Sequence, residues 1–316
     1  MATQSEIEAL YDWVHPFHTL RSGDHADFSC AFFNGNFSQT LIEAQKAKHQ
    51  WVLEGIGFRP PDRILDVGSG WGPMLDAVRR RGGRSVGLTL SSAQADYCAA
   101  KGLKVLLQDW KTVDPSTLGA FRGVISIGAF EHFCSIDEYI QGAQDQIYRD
   151  FFAFCSKVLP AGGKLFLQTM TWGQVVPDPR KLSLSAPQGS PERILARLTR
   201  FYPGSWLPAS RDQIAAAANE HFDFLYSNNG RLDYIETLNR WGQRTANLFK
   251  PSRLPKALWA AARLFTRFCR DSGFRTQIES LRRNDQQVCF LKKIMSHERM
   301  FFEKKLPAQA ADEPRH

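Results

Sequence analysis

The chain has 316 residues, with 40 Lys+Arg against 32 Asp+Glu and a net charge of +8. Its 43% hydrophobic and 23% charged residues describe a globular protein, not a disordered or fibrous one. No run of about 18 apolar residues is present to span a membrane, and the start, MATQSEIEALYDWV, lacks the basic and apolar segments of a secretory signal. Six scattered cysteines without a CxxC pair argue against a disulfide framework or a metal site, and they fit a reducing cytoplasm.

In chain order, residues 1–20 read as a short helix with Ile7, Leu10, Tyr11 and Val14 on one face. Residues 22–40 read as loop. A helix follows in TLIEAQKAKHQWVLEGIG, with Thr40 and Glu43 spaced as a capping box. Strands and helices then alternate: strand 63–67, helix 73–82, strand 85–90, helix 91–102, strand 104–108, strand 123–129, a long helix 136–158 and strand 164–171. Apolar strands alternating with helices build a parallel sheet covered on both faces. Residues 173–206 are rich in proline and read as an inserted cap. The sheet is expected to resume at 221–228 and 288–293, and 303–316 reads as a polar tail. The expectation is a doubly wound, mostly parallel seven-stranded α/β sheet with an inserted helical cap. It forms a single domain over 1–302: N-terminal helices in 1–60, core sheet in 61–172 and 220–295, cap in 173–219.

The positive charge is uneven. Residues 250–305 hold 14 basic and 5 acidic residues, and the remainder is nearly neutral. Within that stretch, 254–270 has the pattern of a basic amphipathic helix: Leu254, Leu258, Ala261, Phe265 and Phe268 form a stripe flanked by Lys256, Arg263, Arg267 and Arg270. It reads either as a surface helix packed on the core or as a docking element for an anionic membrane or an acidic carrier protein. Arg79, Arg80 and Arg81 end a helix, where cations suit the dipole, and read as a solvated helix end.

The sharpest local motif is Asp66-Val67-Gly68-Ser69-Gly70-Trp71-Gly72, between a strand and a helix. Glycines there let the backbone turn tightly and approach a ligand. A dinucleotide fingerprint would need glycine at 73, where Pro73 stands, and an acidic residue ending the second strand, which instead reads Gly87-Leu88-Thr89-Leu90-Ser91. The acidic residue followed by glycines at alternate positions resembles the loop of class I S-adenosylmethionine-dependent methyltransferases.

Five stretches in order resemble the cyclopropane-fatty-acyl-phospholipid synthase and mycolic acid methyltransferase family. They are FSCAFF (28–33) followed by TLIEAQKAKH, ILDVGSGWG (64–72), GLTLSSAQ (87–94), SIGAFEHF (126–133) with the following YRDFFAFCSKVLPAGGKLFLQT, and FYPGSWLP (201–208) with LDYIETLNRW (232–241). The resemblance covers roughly residues 28–293. It implies an S-adenosylmethionine site built from Ser29, Asp66, Gly68, Gly70, Trp71, Gly72, Thr89, Leu90, Ser91, Gln94, Asp109, Trp110 and Ile127, with Lys111 beside Trp110. Thr89, Ser91 and Gln94 can hydrogen-bond ribose hydroxyls, and Trp110 offers a face to adenine.

The resemblance also implies a reacting centre at Cys30, Glu131, Gln168, Met170 and Tyr234, where the family is thought to hold bicarbonate as a base. Cys30, Glu131 and Tyr234 match the family pattern. Gln168 replaces the histidine of an HTI triplet. An amide carries no charge and relays no proton, which weighs against bicarbonate and against ring closure. The family's C-terminal cysteine is absent, its GC pair falling at Gly273-Phe274.

The implied activity is carbon methylation at the double bond of an unsaturated fatty-acyl or related lipid, giving a cyclopropane or a methyl branch. The lipid is free or bound to acyl carrier protein, and the enzyme is cytoplasmic, with peripheral contact at an anionic inner membrane face. Nucleic acid is not an expected partner. Two alternatives stay open: a small-molecule natural-product methyltransferase of the same fold, and a non-catalytic nucleotide- or lipid-binding relative. His132, next to Glu131, reads as structural or functional with equal weight.

Overall fold

The computed structural model describes residues 27–202, 204–248, 265 and 268–307. The expected helix in 1–20 lies outside the described residues, as do most of the basic segment 254–270 and the end of the tail.

Helix α1 (Leu41–Gly55) starts at the expected capping box: Thr40 Oγ1 accepts from the Glu43 N–H, and the Glu43 carboxylate accepts from the Thr40 N–H at 2.8 Å. The alternating segment follows as β1 (Arg63–Val67), α2 (Pro73–Arg80), β2 (Arg84–Thr89), α3 (Ser92–Ala100), β3 (Val105–Leu107), α4 (Pro115–Leu118) and β4 (Gly123–Ile127). At the end of α2, Arg79 and Arg80 reach back to Asp76, as suits a solvated helix end.

The long helix expected over 136–158 is two helices, α5 (Ile136–Ile140) and α6 (Gln144–Val158). Gly142, at φ +75°, turns the chain between them. Then come β5 (Lys164–Trp172), α7 (Pro191–Phe201), α8 (Arg211–Ala218), β6 (Phe222–Asn229), α9 (Arg231–Leu248), α10 (Ser272–Arg282), α11 (Asp285–Leu291) and β7 (Met295–Lys304).

The sheet order is β3-β2-β1-β4-β5-β7-β6, with β7 antiparallel to both neighbours and the other pairs parallel. Period-two alternation divides its side chains between two layers. On β4, β5 and β7, Val124, Leu165, Leu167, Met300 and Phe302 join the core beneath α6 and α8. Ile125, Phe166 and Phe301 face α1 and α2. Gly55 leaves the space that the Phe301 ring occupies; a side chain there would overlap it.

One strand is misplaced by the sequence reading. Of VCFLKK (288–293), residues 288–291 are the second half of α11 and the two lysines follow its end, and the last strand begins at Met295 and runs to Lys304, into the expected tail. A short apolar run fits a buried helix as well as a strand. The true strand is disguised by His297, Glu298 and Arg299, all buried because the sheet is covered on both faces at this point. Among the described residues, no helix is long and apolar enough to cross a membrane.

Candidate active site

Strand order reverses between β1 and β4, and the cleft opens at the carboxyl ends of these strands, where doubly wound sheets place ligands. The glycine loop forms its floor. Gly68 and Ser69 donate to the Leu88 carbonyl at 3.0 and 2.9 Å, which ties the loop to β2. Gly68, Gly70 and Gly72 all have positive φ, at +79°, +53° and +74°. Gly68 has Ala129 where a side chain would go, so glycine is required there for packing. Gly70 and Gly128 line the cleft, and a Cβ on either would project into open space. Their missing side chains therefore leave a cradle for a ligand, a fit that a bare strand–helix turn does not need.

The cleft wall brings together Gly68, Gly70, Thr89, Leu90, Gln94, Asp109 and Trp110 from the expected set. Thr89 Oγ1 donates to Gln94 Oε1 at 2.6 Å, which fixes the orientation of that amide. Trp110 is held by Phe133 and Phe151, with ring centroids 5.0 and 5.3 Å away. The sequence pattern did not single out Gln108, Gly128, Ala129, Phe133 and Glu138, which also line the cleft. Lys111 donates to the Phe133 carbonyl at 3.0 Å and lies 3.9 Å from Glu138 across the mouth. His132 is in the wall as well. Its Nδ1 is 2.7 Å from Ser205 Oγ, and burial lowers its pKa to about 4, so it is neutral near pH 7.

The remaining expected residues stand behind this wall. Ser91 caps α3, accepting from the Gln94 N–H at 3.3 Å. Gly72 precedes α2. Ile127 packs with the α1 layer, and Trp71 is buried edge-on to Tyr97. Ser29 Oγ donates to Asp27 Oδ1 at 2.7 Å and accepts from Lys48 Nζ at 2.5 Å. Burial alone would raise Asp27, but Lys48 and His49 hold it well below the usual carboxylate range. Asp66, at the end of β1, is raised to about 7 by burial, with the Asp27 charge adding to the rise.

The second expected constellation assembles on the other side of Glu131. Glu131 lies in a short helical turn after β4. Its Oε1 accepts from the Met170 N–H at 3.2 Å, and its Oε2 is buried without a hydrogen-bond partner. Burial raises the carboxyl to about 7, against the pull of its backbone hydrogen bonds. Tyr234, in the first turn of α9, accepts at its hydroxyl from Gln286 Nε2 at 3.3 Å. Burial holds this phenol well above its ordinary value, and the neighbouring Tyr202, Cys30 and Glu131 reinforce the effect. Cys30 is pushed up to about 11 by burial and is a thiol near pH 7.

Gln168 is organised by a residue the motif reading passed over. Arg299 faces it across the β5–β7 ladder and is fully buried. Its Nε donates to Gln168 Oε1 at 3.4 Å, its Nη2 to Cys30 Sγ at 3.3 Å and to the Ala31 carbonyl at 2.7 Å, and its Nη1 to Asp233 at 2.9 Å and Asn228 at 2.8 Å. A guanidinium only donates, so the Gln168 oxygen must face it. The amide nitrogen then reaches the Cys30 carbonyl at 3.4 Å. On the cap side, Met170, Trp172, Leu195, Leu198, Trp206 and Phe290 join Tyr234 and Cys30 in one apolar cluster. Among the described residues, no group of His, Cys, Asp and Glu could hold a metal ion.

A sheet of this order with a glycine-floored cleft at its switch point defines an S-adenosylmethionine-dependent methyltransferase. Residues 1–256 match the family described as mycolic acid cyclopropane synthetase. Cyclopropane mycolic acid synthase 2 of Mycobacterium leprae is 32% identical over 253 residues, covering 74% of this chain and 77% of that protein. Hydroxymycolate synthase MmaA4 of Mycobacterium bovis is 31% identical over 249 residues, covering 75% of this chain and 76% of its own. The crystal structure of mycolic acid cyclopropane synthase CmaA1 complexed with SAH and CTAB superposes with a TM-score of 0.73 at 26% identity, over 95% of this chain and 98% of that one. The chain belongs to the mycolic acid cyclopropane synthetase family.

Proposed function

We propose that the protein transfers a methyl group from S-adenosylmethionine to the double bond of an unsaturated acyl lipid, and that Glu131 takes up the proton released afterwards. The observation that carries this reading is the buried, half-partnered carboxylate of Glu131, which follows the cleft residues Gly128 and Ala129 in the chain and accepts from the N–H of Met170, a member of the apolar cluster. The relatives named for mycolic acid modification support a lipid substrate, and so does the CTAB held by CmaA1.

When bound, S-adenosylmethionine supplies an electrophilic methyl group. Gly70 and Gly128 let the backbone approach that ligand, while Gln94 and Trp110 are assigned to its nucleoside end. An isolated alkene cannot be activated by removing a proton, so the protein must align it and exclude water. Met170, Trp172, Trp206 and Phe290 provide the dry wall. The alkene's electron pair would form the new carbon–carbon bond as the methyl–sulfur bond breaks, its pair staying on sulfur as S-adenosylhomocysteine, and a cation would be left on the acyl chain. Glu131 Oε2 would accept the proton lost next: from the new methyl, whose C–H pair then closes a cyclopropane, or from a chain carbon beside the cation, which leaves a methyl-branched alkene. Gln168 is satisfied by Arg299 and the Cys30 carbonyl, and Cys30 Sγ by Arg299 and the Ala31 and Gly230 carbonyls, so no step is routed through bicarbonate.

Incubation with methyl-labelled S-adenosylmethionine and a lipid extract is expected to label unsaturated lipids with a mass gain of one CH2. Label confined to polar small molecules would sink the reading. Gly70→Ala, which places a methyl group in the cradle, is expected to weaken S-adenosylhomocysteine binding at least about tenfold by calorimetry, alongside roughly 1 kcal/mol of backbone strain. Unchanged affinity would remove Gly70 from the cofactor site.

A further inference from the structure

A second cavity, of about 210 Å³, lies between the start of α7 and α11, away from the glycine cleft. Four cations line it, Arg193, Arg197, Arg283 and Lys292, against one carboxylate, Asp285. That carboxylate is already taken by Arg197, which holds it with two bonds of 2.6 and 2.7 Å. Arg283 pairs with Glu279 outside the cavity at 2.9 Å. Arg193 and Lys292 donate to the backbone carbonyls of Ala186 and Gly189, at 3.3 and 3.1 Å. A carbonyl neutralises no charge, so the cavity keeps a positive excess. Its edge at Gln188 and Gly189 immediately precedes Ser190, the cap of the 11-residue α7, so the positive end of that helix adds to the field.

The floor and rim give the anion's context. Ile194 and Val288, on the floor, pack in the apolar cluster that holds Tyr234 and Met170. Helix α11 joins the two places: Gln286 touches Tyr234 and Met170, and Lys292 lies six residues on, about 9 Å along the axis. Next to Lys292 in the chain, Leu291 is 58% exposed and Lys293 is exposed as well, and Val175 is 75% exposed. The Gln174 N–H bonds the Lys293 carbonyl at 3.3 Å, which brings the residue before Val175 to Lys293. Exposed apolar side chains among lysines are the mixture that suits an anionic lipid surface.

We propose that this cavity is a binding site for the phosphate of a lipid head group, seating the protein on a lipid surface with the apolar cluster facing the acyl chains. The assignment rests on the lipid-methylation reading for its purpose but not for its test. Dihexanoylphosphatidylglycerol, kept below its micelle-forming concentration, is titrated into the full chain and into Arg193→Ala/Lys292→Ala, with Lys292→Glu as a single substitution at an exposed position and circular dichroism as the check that each variant is folded.

The expected result is binding by the unaltered protein and at least about tenfold weaker binding by each variant, with S-adenosylhomocysteine affinity the same in all three. Equal binding of dihexanoylglycerol, which lacks the phosphate, would overturn the site. So would inorganic phosphate binding as tightly as the lipid, or 4′-phosphopantetheine binding where the lipid does not, the last pointing to a carrier protein instead. Lipid binding that depends on Arg193 and Lys292 without label transfer to unsaturated lipids upholds the site and removes the methylation reading. Label transfer with indifferent variants does the reverse.

Discussion

Glu131→Gln is expected to lower turnover by about two to four orders of magnitude, the range lost when a positioned proton acceptor is removed. Amide and carboxylate are nearly isosteric, and the amide oxygen can still accept from the Met170 N–H, so the loss falls on chemistry and not on folding. Below pH 7 the unaltered enzyme should slow as Glu131, with its pKa near 7, becomes protonated. The glutamine variant has no such group. Asp66 also titrates near 7, so Asp66→Asn is the control that separates the two. A rate in the glutamine variant within tenfold of the parent would remove Glu131 as the acceptor.

The same substitution should stabilise the protein at alkaline pH. The carboxyl pKa rises from 4.5 to about 7 on folding, so the folded state prefers the protonated acid. Below about pH 4.5 both states are protonated and there is no penalty. Between 4.5 and 7 the unfolded state ionises first and stability falls, and above 7 the full penalty applies. At about 1.4 kcal/mol per pH unit, glutamine should recover up to about 3 kcal/mol at pH 8 and nothing at pH 4. Urea denaturation of parent and variant at the two pH values measures it. A gain at pH 4 as large as at pH 8 would contradict the buried, ionisable state of this group.

The second large effect is expected at Arg299. Arg299→Met should cost about 3–5 kcal/mol, because it strands the buried carboxylate of Asp233. Adding Asp233→Asn should recover much of that loss, whereas two independent sites would simply add. Beyond stability, the variant frees Gln168 to rotate, since no donor fixes its oxygen, and loosens Cys30. Turnover in Arg299→Met/Asp233→Asn should therefore stay depressed after stability returns. Full activity in the stable double variant would make Arg299 structural alone.

Much of the fold and of the cofactor cleft is legible in the sequence because both rest on local patterns. The alternation of apolar strands and helices from Arg63 to Trp172 follows from side-chain period and turn residues that neighbours alone enforce. The positive φ of Gly68, Gly70 and Gly72 follows from the tight turn of one short loop. Glu131 is legible as the carboxylate just past a strand's end. The helix at 285–291 and the strand at 295–304 are not, because each depends on partners distant in the chain; the break at Gly142 has a local cause in that glycine, outweighed in the sequence by the helical pattern on both sides of it.

The arrangement around Gln168 shows the limit most clearly. From the sequence, a glutamine in that position reads as a lost charge, and Arg299 reads as one cation in a basic C-terminal segment. Only the antiparallel pairing of β5 with β7 sets them face to face, and only full burial makes Asp233 and Cys30 obligatory partners. Charge excess is likewise a property of the sequence. Which cations remain without an acidic counterpart among the described residues, as Arg193 and Lys292 do at their cavity, was decided by the packing of α7 against α11, since electrostatic pairing acts through space and carries no signature along the chain.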